Sequence, residues 1–294
     1  VLHIDNVNPG TIAHHREEAR EALKVIVEYH TPGDVAALGV ESADPRVVKA
    51  NNLKASPEES LEAIRVINEV GARRGWNGMP ELLPGINFVL GLKGETKETY
   101  ERNLEFLRQI MREGLLVRRV NIRQVLALPG TPMWPVGDSV IRRHKALFRA
   151  FKRRVREEFD RPMLQRVVPK GTVLRDLYVE AHEGKYSLAR QVGSYPILVY
   201  VPERLPIAAR LDVAVVEHGY RSVKGIPYPL DANEASEESL ALVPGMSRKA
   251  ITYILARRPI ESLEELKLIV GPDALRYLTL RSPRSRSGEA VNAG

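Results

Sequence analysis

Ile86-Asn87-Phe88-Val89-Leu90-Gly91-Leu92-Lys93-Gly94-Glu95-Thr96 decides how the chain is read. Residues 86–90 form the short apolar run of a buried strand, and Gly91 ends it in a turn. Thr96 then caps a helix that runs through Met111 and stops at Gly114. Strand, glycine turn and helix make one βα unit of a parallel sheet.

The same rhythm extends in both directions over residues 1–160. Upstream, Val1–Asn6 reads as a first buried strand, Ile12–Tyr29 as a helix and Asp34–Glu41 as a second strand. Ser56, Pro57 and Glu59 supply an N-cap, an N1 proline and a capping-box acid. Leu61, Ile64, Ile67 and Val70 form the apolar stripe of the helix they start. Downstream, Val117–Leu128 is a fourth strand closed by Pro129–Gly130, and Ser139–Phe159 is one long, very basic helix carrying Arg142, Arg143, Lys145, Arg149, Lys152, Arg153, Arg154 and Arg156. That basic face is either solvated or a phosphate-contacting surface.

The pattern changes near residue 163. Val173–Glu180, Ile197–Val201 and Leu211–Glu217 are β-like stretches punctuated by glycines, which predicts a small all-β barrel over 164–230. From Asn233 on, Ser236–Leu242, Ser247–Arg257, Ser262–Ile269 and Pro272–Leu280 read as short helices, spanning 233–281. Residues 282–294 carry no apolar period and are expected to be a disordered tail.

The chain of 294 residues holds 44 basic and 37 acidic side chains, a net charge of +7 that suits a polyanionic partner without establishing one. Cysteine is absent, which removes disulfides, thiolate zinc sites, cysteine nucleophiles and cysteine-ligated clusters from this chain. No run approaches the roughly 20 apolar residues that span a bilayer. The opening Val1–Leu2–His3–Ile4 has neither a basic n-region nor a cleavage site, so the protein is expected to be cytoplasmic. Adjacent His14 and His15 diverge on a helix, and no metal site is expected.

In parallel α/β sheets, ligands sit at the carboxyl ends of the strands. There the sequence puts Glu41 and Ser42, Asn87 and Gly91, and Ala127–Gly130. A carboxylate such as Glu41 can accept two hydrogen bonds from a ribose diol. Asn87 can read an amino or carboxylate group, and Gly91 lets backbone approach a flat ring. The plainer readings are a Glu41 salt bridge to Arg46 or Lys49 and an Asn87 side chain capping a loop.

Gly39-Val40-Glu41-Ser42-Ala43-Asp44, the 86–96 stretch and Leu126-Ala127-Leu128-Pro129-Gly130-Thr131-Pro132 resemble, in order and spacing, the fourth, fifth and sixth strand motifs of radical S-adenosylmethionine enzymes. The resemblance covers residues 1–160 and implies a partial (β/α) barrel with parallel strands. It implies S-adenosylmethionine as cofactor. Glu41 would sit at the ribose, with Ser42 beside it, Asn87 at the ribose or methionyl end, and Ala127 and Leu128 at the adenine. Lys54 is the nearest base to the position, here Leu53, where some relatives carry an arginine for the methionyl carboxylate. The family's Cys-x-x-x-Cys-x-x-Cys loop and its [4Fe–4S] cluster have no counterpart here. The chain is therefore expected to be the C-terminal portion of a longer enzyme, inactive alone and served by an external electron donor.

Gly171-Thr172-Val173, Leu177–Glu180, Ala189-Arg190 and Val215–Gly225 resemble a TRAM domain, a small barrel associated with RNA. Arg190, Arg221 and Lys224 would line its phosphate-facing surface, with Tyr186 and Tyr195 available for stacking. Leu242–Ala250 resembles a helix-hairpin-helix motif. Gly245 would form the hairpin, and Ser247, Arg248 and Lys249 would present a helix start to a nucleic-acid phosphate. Together these imply a radical enzyme that modifies RNA. The alternative is a non-catalytic RNA- or DNA-binding protein on a degenerate barrel.

Overall fold

The computed structural model describes residues 1–280, so the tail expected over 282–294 lies outside the described residues. The chain forms two compact units. The first holds residues 1–169 together with 192–197 and 218–221; the second holds residues 170–191, 198–217 and 222–280.

The first unit is α/β. Its elements are β1 (Asn6–Val7), α1 (Pro9–His14), α2 (Arg16–Tyr29), β2 (Asp34–Glu41), α3 (Pro45–Ala50), α4 (Pro57–Gly71), β3 (Leu82–Leu90), α5 (Lys97–Arg112) and β4 (Arg119–Gln124). They are followed by α6 (Ser139–Arg143), α7 (Lys145–Val155), a π-helical turn (Arg156–Asp160) and α8 (Arg161–Val167). The strands lie in the order β1-β2-β3-β4 and every pair is parallel. Side chains alternate across each strand. Leu38, Ile86 and Phe88 point to the face covered by helices, where Phe88 meets Phe106 and Phe151 edge-on at 6.5 and 6.1 Å. Gly39, Asn87 and Asn121 stand on the opposite face.

Local signals did what their chemistry demands. The Ser56 hydroxyl accepts from the Glu59 amide at 3.1 Å, and the Glu59 carboxylate accepts from the Ser56 amide at 2.6 Å, completing the capping box of α4. Thr99 accepts from the Thr96 amide at 3.1 Å at the start of α5.

Four element boundaries differ from the sequence reading. Val1 and Leu2 are 74% and 57% exposed rather than buried, and only Asn6 and Val7 pair with β2, since the Asp34 carboxylate takes the Ile4 amide at 3.0 Å. The helix read over Ile12–Tyr29 bends at His15, which lets α1 and α2 each lie on α4 and bury Ile12 and Leu23. The fourth strand stops at Gln124 rather than Leu128. Its partner β3 ends at Leu90, whose carbonyl accepts the Val125 amide as the last ladder bond. The long basic helix is broken at His144, a buried residue whose Nδ1 lies 3.1 Å from the Glu95 carboxylate and whose ring meets Tyr100 edge-on.

The second unit contains β5 (Val173–Glu183), β6 (Tyr186–Gln191), β7 (Leu198–Val201), β8 (Arg210–His218) and β9 (Ser222–Pro227). These strands form a mixed sheet, closed in the order β5-β6-β7-β9-β8. Strands β6 and β9, absent from the sequence reading, complete it. Beyond it come β10 (Leu230–Asp231), α9 (Glu237–Leu242), α10 (Arg248–Arg257), α11 (Leu263–Ile269), α12 (Pro272–Leu275) and β11 (Leu278–Thr279). The helix expected over Pro272–Leu280 ends at Leu275, and Leu278 and Thr279 near its expected end form this strand, paired in parallel with β10. Val216 and Ile226 of the closed sheet share one apolar cluster with Leu240, Ile254 and Leu266 of the helices. The two segments read separately from sequence thus bury each other's apolar faces.

Candidate functional site

The carboxyl ends of β2, β3 and β4 bring together most of the polar residues read as cofactor contacts. Glu41 is the last residue of β2 and has φ +56°, a left-handed conformation that is rare for a side chain of this size. The register between β2 and β3 slips between Gly39 and Glu41, a bulge that re-aims the side chain. The Glu41 carboxylate folds back over Gly39, so close that a Cβ on Gly39 would stand 2.8 Å from Oε1. Its Oε2 is buried and has no hydrogen-bond partner among the described residues. Burial pushes the Glu41 carboxyl above the usual carboxylate range, against the opposing charges of Arg123 and Lys54. The salt bridge to Arg46 or Lys49 that sequence allowed is not made; Arg46 pairs with Asp44 and Glu98 instead.

Asn87 sits on β3 directly across from Asn121 on β4, and Asn121 Nδ2 donates to Asn87 Oδ1 at 2.8 Å. Arg123, two residues on, is exposed at the tip of β4. Sequence reading missed Asn121 and Arg123, although the alternation Val120-Asn121-Ile122-Arg123 puts a polar residue at every second position.

Other expected contacts are engaged locally. Ser42 is buried, and its hydroxyl accepts the Asp44 amide at 3.2 Å in the turn leading to α3. Gly91 has φ +93°, and its amide donates to the Glu95 carboxylate at 2.5 Å. A Cβ there would meet Ile141 at 2.5 Å, so an aliphatic side chain covers the face offered to a flat ring. Lys54 is exposed, Ala127 is half-buried in the loop after β4, and Leu126 and Leu128 beside it are 74% and 51% exposed.

The residues read as phosphate contacts separate into two groups. Arg190 pairs with Glu180, and Lys224 pairs with Glu217 at 2.8 Å. Tyr186 donates its hydroxyl to Glu238 at 3.0 Å. Arg221 and Tyr195 belong to the first unit, where Arg221 pairs with Asp160 at 3.2 Å and Arg119 lies 3.7 Å over the Tyr195 ring. In the second unit Gly245 has φ +79° in the turn between α9 and α10. Ser247 caps α10 by accepting the Ala250 amide at 3.1 Å, and Arg248 and Lys249 are exposed on its first turn.

Among the described residues no group of three or more histidines and carboxylates is placed to hold a metal, and no helix is long and apolar enough to cross a membrane.

No family model matches the chain. It is 53% identical over 277 residues to an uncharacterized protein of Archaeoglobus fulgidus, a match covering 94% of this chain and 52% of that protein. Over 227 residues it is 51% identical to uncharacterized protein MJ0274 of Methanocaldococcus jannaschii, covering 76% of this chain and 42% of that protein. Over 141 residues it is 26% identical to uncharacterized protein MK0932 of Methanopyrus kandleri, covering 47% of this chain and 23% of that protein. The chain spans about half the length of the first two relatives.

Proposed function

We propose that the first unit is part of the (β/α) barrel of a radical S-adenosylmethionine enzyme, and that the strand tips of β2, β3 and β4 hold the nucleoside end of S-adenosylmethionine. In the same reading the second unit is a TRAM-like barrel joined to a helix-hairpin-helix, and the substrate is RNA. The observation that carries the proposal is Glu41: a buried carboxylate oxygen without a partner among the described residues, on a left-handed residue, at a strand tip. An orphaned buried acceptor is costly, and a ribose diol supplies the two donors it lacks.

The residues present fit the nucleoside. Glu41 would orient the ribose, the Asn87–Asn121 pair would meet a polar edge, and Ala127 would lie along the adenine. When bound and reductively cleaved, the sulfonium supplies a hydrogen-abstracting radical. The [4Fe–4S] cluster that such cleavage requires does not fit this chain: with no cysteine, these residues offer it no thiolate. Its ligands and the external electron donor lie outside the 294 residues in this reading, and the chain alone does not cleave the sulfonium.

Equilibrium dialysis against labelled S-adenosylmethionine tests the assignment. The chain binds it, and Glu41→Gln weakens binding about tenfold, as expected for loss of a charged acceptor. Binding that Glu41→Gln leaves unchanged, or none at millimolar nucleoside, removes the site. Cleavage after adding iron and sulfide to this chain would contradict its inactivity.

The reading as a non-catalytic RNA-binding protein is favoured by one observation, the Gly245 turn leading into a capped α10 with Arg248 and Lys249 exposed. It is separated from the first by the same dialysis.

A further inference from the structure

We infer that one face of α7 and the adjoining π-helical turn, with Arg123 and the Tyr220–Arg221 segment beside it, is the track on which a single RNA strand lies. This rests on the RNA reading above and names where in the first unit the strand is held.

Arg149, Lys152, Arg153 and Arg156 are spaced i, i+3, i+4 and i+7, which puts four cations on one helical face about 10 Å long. Like charges at that spacing repel one another. Elsewhere on this helix the chain relieves such repulsion: Arg154 pairs with Glu101 at 2.7 Å and Glu158 at 2.8 Å, and Glu158 also holds Arg108. None of the four lies within ion-pairing distance of a carboxylate among the described residues. Arg156 feels Asp160 only at longer range. The face is left positive while its neighbour is neutralised.

The face borders a groove of about 480 Å³ that also takes in Phe148, Glu157 and Tyr220. Lys152 and Arg156 are shared with an adjoining pocket of about 180 Å³, which adds Arg123, Arg221, Asp160 and Asn121. Arg221 is held there by Asp160 and by the Val120 carbonyl on the open edge of β4, at 2.8 Å. Tyr220 is 49% exposed and makes no hydrogen bond or ring contact among the described residues.

Cations that track a backbone, with a free aromatic face among them, are what single-stranded nucleic acid binds through phosphate contacts and base stacking. An acidic peptide would use the charges but not the ring. The track also ends at the proposed cofactor site, because Asn121 lines the pocket and bonds Asn87.

Fluorescence anisotropy with a labelled oligouridine, titrated at several salt concentrations, tests this. Replacing Lys152, Arg153 and Arg156 by Gln lowers the slope of log affinity against log salt by about 2, since each phosphate contact on a single strand contributes about 0.7. Tyr220→Ala weakens binding about tenfold with the slope unchanged. Arg154→Gln, a paired arginine, changes neither. Unchanged affinity and slope in the triple variant, with binding lost on Gly245→Val plus Lys249→Glu, overturn the track and keep the RNA reading. No salt-sensitive RNA binding by the wild type overturns both. Competition by polyglutamate as strong as by RNA, with Tyr220→Ala silent, overturns it in favour of an acidic protein. If a variant fails to fold, photocrosslinking of thiouridine RNA to the wild type decides: adducts on Tyr220 or α7 support the track, and adducts confined to residues 170–191, 198–217 and 222–280 overturn it.

Discussion

Asn121 on β4 donates its side-chain amide to the Asn87 carboxamide oxygen across 2.8 Å, and the two are register partners on adjacent parallel strands. This bond fixes the orientation of Asn87 and leaves its amide nitrogen to donate elsewhere. Asn121→Ala should therefore release Asn87 and weaken nucleoside binding about fivefold to tenfold, the worth of one neutral hydrogen bond. Calorimetric titration with S-adenosylmethionine checks it, and an unchanged affinity would mean that the pair only ties the strands together.

Asp160 is buried beside Arg221, and burial outweighs Arg221 and Arg156 in pushing its carboxyl up to about 6. Unfolded, it titrates near 4. Between those values the folded chain holds the extra proton, so stability is full below about pH 4 and falls as the pH rises to about 6. The loss is on the order of 3 kcal/mol. Urea unfolding of the wild type should show this decline, and Asp160→Asn should lack it. Identical pH profiles for the two proteins would show that Asp160 ionises as freely in the fold as out of it.

Gly91 combines a left-handed φ with a Cβ direction blocked by Ile141. Gly91→Ala should destabilise the first unit by about 2–4 kcal/mol, from strain together with overpacking. Adding Ile141→Ala should restore the overpacking part and leave the strain. Chemical denaturation of the single and double variants separates the two, and a neutral Gly91→Ala would contradict the packing described.

The capping box of α4 is a simpler case. Ser56→Ala removes the acceptor for the Glu59 amide and should cost about 1 kcal/mol without altering nucleoside or RNA binding. A loss of ligand affinity at matched stability would show that α4 does more than support the sheet.

Legibility followed the range of the interaction. Ser56, Glu59 and Thr96 mark helix starts through bonds spanning three residues, and these were readable. Asn87 and Glu41 were readable as strand-end polar residues, since alternation and position along a strand are local properties. The helix break at His144 was not readable, because it depends on Glu95, 49 residues away. Arg190 and Lys224 looked like phosphate contacts in the sequence. The fold sets each beside a carboxylate on the same or a neighbouring strand, Glu180 and Glu217.

By itself the sequence determined the order of βα units, the caps that start α4 and α10, the absence of any thiolate and the row of cations on α7, because each needs only composition or short spacing. The tertiary structure alone decided which charges are cancelled and which stay free. Glu101 and Glu158 reach Arg154, but among the described residues no carboxylate reaches Arg149, Lys152, Arg153 or Arg156. Charge pairing needs contact within a few ångströms, and only the folded chain sets those distances.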